Sequence, residues 1–68
     1  MINGLKREIR IYCDESEKMD IGEKIHNQLV GNQDYVDCNI ILNCDRPDLD
    51  YVTLLIFEDC ENIPEITI

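Results

Sequence analysis

The side chains in this sequence best suited to chemistry are four cysteines, one histidine, one serine and fifteen carboxylates. Cys13, Cys38, Cys44 and Cys60 stand 25, 6 and 16 residues apart. No pair has the two-to-four-residue gap with which a single turn presents two thiolates to zinc. Cys13, Cys38 and Cys44 fall on the apolar phase of strand-like segments, where a thiol behaves as a small hydrophobe. Core packing is therefore the expected role of the cysteines. His26 and Ser16 are each unique in the chain. Ser16 sits where a helix should start and reads as a cap, leaving His26 without a nucleophile placed beside it by spacing.

The carboxylates form two groups. Asp45, Asp48 and Asp50 precede one apolar segment, and Glu58, Asp59 and Glu61 follow it. A calcium loop starting at Asp45 would need glycine at its sixth position, which is Asp50 here. Gly4, Gly22 and Gly31 are isolated, so no glycine-rich turn exists to cradle a phosphate. Neither a catalytic residue, a metal nor a cofactor is expected, and the chain reads as a non-enzyme. No motif is specific enough to name a family.

Charge is more informative. The formal net charge is −9, and it is unevenly spread. Residues 1–33 carry six acids against five bases; residues 34–68 carry nine acids against Arg46 alone. Such a field repels nucleic acid and anionic membranes and attracts basic surfaces. The longest apolar run, residues 54–57, is far too short to span a bilayer, and no signal-peptide pattern follows Met1. A cytoplasmic setting with reduced thiols is expected.

The elements that must position these residues follow from periodicity. Sixty-eight residues make one domain, 1–68. Isoleucine supplies 11 of the 30 apolar residues and alanine none, a composition suited to pleated strands. Alternation predicts strands over 6–13, 35–44 and 51–57, and a short last strand over 63–68 that Pro64 confines to an edge. Ile21, Ile25 and Leu29 recur at four-residue spacing, predicting an amphipathic helix over 17–30 that stops at Gly31. Asp14 with Glu17, or Asp20 with Glu23, has capping-box spacing. The expected fold is α+β: a two-layer β-α-β-β-β arrangement with a mostly antiparallel four-stranded sheet, its last three strands a meander, and the helix on one face.

One short helix covers one sheet face only. The segment 51–57 is apolar on both phases, so half of it must lie open unless something else packs there. A contiguous apolar patch of that kind marks an interface. The expected function is that of a small acidic protein-binding regulator or inhibitor, of the sort encoded by phages and mobile elements, occupying a basic surface of a partner such as a nucleic-acid-binding one. Tyr35, Tyr51, Leu55 and Phe57 are the expected anchors. Asp45, Asp48, Asp50, Glu58, Asp59 and Glu61 would steer approach. The alternative is a homodimer that packs sheet on sheet and holds a small ligand at the seam.

Overall fold

A computed structural model describes residues 4–60 and 63–68. Along the chain lie strand β1 (Leu5–Tyr12), a 3-10 turn (Glu15–Glu17), helix α1 (Lys18–Leu29), a short helix α2 (Gln33–Val36), strand β2 (Ile40–Asn43) and strand β3 (Tyr51–Phe57). The fold is α+β, with one main helix and a three-stranded antiparallel sheet in the order β1-β3-β2.

The helix forms where its punctuation places it. The Asp14 carbonyl accepts from Glu17 N–H at 2.9 Å, and the Glu17 carboxylate accepts from Asp14 N–H at 3.4 Å. The Glu17 carboxylate supplies the reciprocal half of the first capping box, the backbone bond closes the 3-10 turn, and Ser16 lies inside that turn and does not cap it. Gly31 follows the helix at φ +92°, a left-handed conformation that only glycine adopts without strain. From α1, Ile25 and Leu29 enter the core beside Ile40, Val52, Leu54, Ile56 and Cys60. Ile9, Ile11, Ile21, Leu42, Cys13 and Cys44 pack around it, half-buried. Val52, Leu54 and Ile56 are alternate residues of β3, so the helix and core occupy one face of the sheet.

Two contacts set how closely the helix approaches. Gly22 is buried in mid-helix, and a Cβ built there would lie 2.7 Å from Cys44 Sγ and 2.9 Å from Cys44 Cβ. Glycine costs about 1 kcal/mol relative to alanine in a helix interior, and the close passage over β2 explains its use. Lys18 is 2 % exposed. Its ammonium donates to the Arg46 carbonyl at 2.5 Å and to the Leu49 carbonyl, and pairs with Glu15 at 2.9 Å. A buried cation is tolerable only when satisfied in this way. Here it ties the β2–β3 loop to the helix.

Three expectations are corrected. The strand predicted over 35–44 is shorter, because Asn32 accepts from the N–H groups of Asp34 and Tyr35 and caps α2 instead. Cys38 then turns the chain at φ 65° and is exposed, so it is not a core thiol. Residues 63–68 form no strand. Instead, the Gln28 side-chain amide both donates to the Thr67 carbonyl (2.7 Å) and accepts from Thr67 N–H (2.8 Å), and Ile66 packs against the core. The described sheet is therefore three-stranded, with β3 central, and the predicted meander is reduced to the β2–β3 hairpin.

Candidate protein-binding face

Because Val52, Leu54 and Ile56 point into the core, the pleat sends Tyr51, Thr53, Leu55 and Phe57 to the opposite face. Pairing with β1 sets Glu8 beside Leu55, Arg10 beside Thr53, Tyr12 beside Tyr51 and Leu5 beside Phe57. Pairing with β2 sets Ile41 beside Leu55 and Asn43 beside Thr53. Among the described residues, the groups packed on the core from α1, α2 and the C-terminal segment all lie on the other side of the sheet. Leu5 (37 %), Ile41 (38 %) and Tyr12 (62 %) are exposed, while Tyr51, Leu55 and Phe57 are half-buried by their strand neighbours.

The face has two halves. At the Tyr51 end, Arg10 lies 4.6 Å from the Tyr51 ring centre, and the Tyr12 and Tyr51 rings are 5.2 Å apart. Arg10 donates through Nε and Nη2 to the Glu8 carboxylate at 3.0 and 3.3 Å, and the Thr53 hydroxyl donates to the same carboxylate at 3.1 Å. The Arg10 hydrogen bond is the main reason the Glu8 carboxyl is held below its ordinary value, and that bond likewise raises the Arg10 guanidinium. At the other end, Leu5, Ile41, Leu55 and Phe57 are purely apolar. Three strands at about 4.8 Å spacing and seven residues at about 3.3 Å give a face of roughly 300 Å². That falls short of the ~800 Å² per partner of a standard interface, so the ends of the sheet must contribute to any stable complex.

Both ends are acidic. The β2–β3 loop leads into Tyr51 and carries Asp45, Asp48 and Asp50, all exposed. Asp48 is occupied: Arg46 grips its two oxygens at 3.0 and 2.8 Å, which lowers its pKa and raises that of Arg46. Asp45 and Asp50 are the loop's remaining acids. At the far end, Glu58 and Asp59 follow Phe57 directly and are exposed. With Gly4, Cys38, Asn39 and Phe57 they line an open depression of about 340 Å³. An aromatic ring beside two carboxylates suits a lysine or arginine, which buries its stem and keeps its charge at the rim.

Of the residues expected to bind a partner, the structure groups Tyr51, Leu55 and Phe57 on one face, with Asp45, Asp48 and Asp50 at one end and Glu58 and Asp59 at the other. Glu61 lies outside the described residues. Tyr35 is corrected. It belongs to α2, packs against the core side, and its hydroxyl meets His26 Nδ1 at 2.8 Å. Glu8, Arg10 and Thr53 join the face without having been expected there; the signal that could have found the first two is the alternation of residues 6–13, which puts Glu8, Arg10 and Tyr12 on one phase. No family model, curated protein or solved structure matches the chain. Among the described residues no group of His, Cys, Asp and Glu could hold a metal, and no helix is long and apolar enough to cross a membrane.

Proposed function

We propose that this chain is a small protein-binding regulator or inhibitor that docks its open sheet face on a basic surface of a larger partner. The observation that carries the reading is the join of an uncovered apolar stripe, Leu55 and Phe57, to exposed carboxylates at both ends of the same strand. The apolar stripe supplies desolvation energy, and the acids set approach and orientation. A nucleic-acid-binding surface of the partner fits this layout, the carboxylates taking the place of phosphates. The same face packed on a second copy would set the acidic ends of the two sheets, Asp45–Asp50 and Glu58–Asp59, against acidic ends of the other copy, which repulsion disfavours.

Salt and substitution together test the proposal. Immobilised wild-type protein should retain a partner at low ionic strength and release it as salt screens the charges. The Leu55→Lys variant, confirmed as folded by circular dichroism, should not retain it. Retention of the same proteins by both, or indifference to salt, would remove the open face from the mechanism.

A further inference from the structure

We infer that strand β1 is a second, separate interface, at which two copies of this chain join edge to edge into a continuous antiparallel sheet. The argument rests on the sheet edge, not on the open face. In an antiparallel ladder, alternate residues turn both N–H and C=O toward the neighbouring strand and the rest turn them away. Cys13 N–H donates to the Asp50 carbonyl at 3.0 Å, and the β1–β3 register continues from there. Ile11 and Ile9 therefore bond to β3, while Glu8, Arg10 and Tyr12 turn their backbone groups outward. No described residue bonds those outward groups. An edge strand of eight residues left this way is a template for another strand.

The side chains choose the partner and the register. Only outward-facing residues can pair across the new ladder, so Glu8, Arg10 and Tyr12 must face their own kind of position. Centred on Glu8 or on Arg10, a two-fold pairing sets identical charges opposite each other. Centred on Ile9, it sets Glu8 against Arg10 of the second copy and Arg10 against its Glu8, with Arg7 beside Ile11. Both hydrogen-bonded pairs are then also ion pairs, and no like charges oppose. Lys6 sits at the register shift between Leu5 and Arg7, where the straight ladder ends. Lys6, Arg7 and Arg10 against Glu8 make β1 locally positive on an otherwise acidic chain, so two copies meet at the edge where mutual repulsion is least. The product is a six-stranded sheet in which the two open faces become one surface.

Sedimentation velocity over a concentration series tests this with three proteins: wild type, Arg10→Glu, and the exchange Glu8→Arg with Arg10→Glu. Wild type should self-associate, the single variant about tenfold more weakly, and the exchange variant should recover most of the loss, since its pairs are again opposite in sign. Should the single variant not fold, wild-type amide exchange gives a second readout: Glu8 and Arg10 amides should gain protection as concentration rises. A wild-type chain that stays monomeric to about 1 mM, an Arg10→Glu variant that associates equally well, or concentration-independent exchange at Glu8 and Arg10 would each overturn the inference.

Discussion

Replacing Lys18 by methionine removes the charge that fastens the β2–β3 loop to the helix while nearly preserving side-chain volume. Three partners lose their donor: the carbonyls of Arg46 and Leu49, and the Glu15 carboxylate. Glu15 is largely exposed, and water replaces its partner at small cost, within the ~0–1 kcal/mol of a surface ion pair. The two carbonyls face a site that is 2 % exposed, so each pays a desolvation penalty of about 1–3 kcal/mol when left unmade. A longer apolar contact from the methionine returns part of this. The expected net loss is about 2–4 kcal/mol. A chain of this length has a stability of roughly 3–10 kcal/mol, so the variant should melt some 10–25 °C lower. Urea unfolding followed by circular dichroism measures it, with Glu15→Gln as a control expected to change stability by less than about 1 kcal/mol. A Lys18→Met variant within about 1 kcal/mol of wild type would show that the loop does not depend on this ammonium, and the account of its placement would fail.

Three further outcomes follow from the packing and the face. Gly22→Ala gains about 1 kcal/mol of helix propensity but drives a methyl into Cys44, an overpacking cost of about 1–3 kcal/mol. Net destabilisation is expected in thermal melts, reduced when Cys44→Gly removes the atoms it meets; a stabilised single variant would contradict the close approach. Cys38→Gly relieves the positive φ at an exposed position and should raise stability by up to about 1 kcal/mol in denaturant titrations, whereas a loss would mean that the thiol itself holds the turn. Glu8 has a depressed pKa, so the contribution of its carboxylate is present above the ordinary glutamate value and lost as pH falls through the lower folded value. Stability measured from neutral pH down into that acid range should fall less in Glu8→Gln than in wild type, and identical profiles would mean that the Glu8 pair contributes nothing.

The elements that could be read in advance are those whose pattern and punctuation agree. The helix has an apolar stripe bounded by Asp14–Glu17 and Gly31, and β3 has apolar residues on both phases; each forms close to where the pattern puts it. The region 35–44 misleads because its alternation is continuous, yet a single side chain outweighs it. Asn32 caps two N–H groups and starts a helical turn, which carries Tyr35 to the core side and forces Cys38 into a left-handed conformation. The last segment has strand-like residues, but Pro64 lacks a donor and the Gln28 amide supplies Thr67 with both of the bonds a strand would have given. The candidate face was legible in β3 because an apolar residue on both phases needs two covers. The contribution of β1 was not, since Glu8 and Arg10 read as solvated charges until the register sets them beside Leu55 and Thr53 and brings Arg10 over Tyr51. The satisfied burial of Lys18 has no sequence signal: apart from Glu15, its partners are carbonyls 28 and 31 residues away.

The three tyrosines allow the central claim to be tested directly, because two lie at the open face and one does not. Tyrosine-selective labelling, read by mass spectrometry on the free protein and on its complex with a captured partner, reports each ring separately. Tyr12 and Tyr51 should lose reactivity in the complex while Tyr35, held against His26 on the helix side, keeps its own. Protection of Tyr35 with Tyr12 and Tyr51 unchanged would place the partner on the helical side and contradict the account.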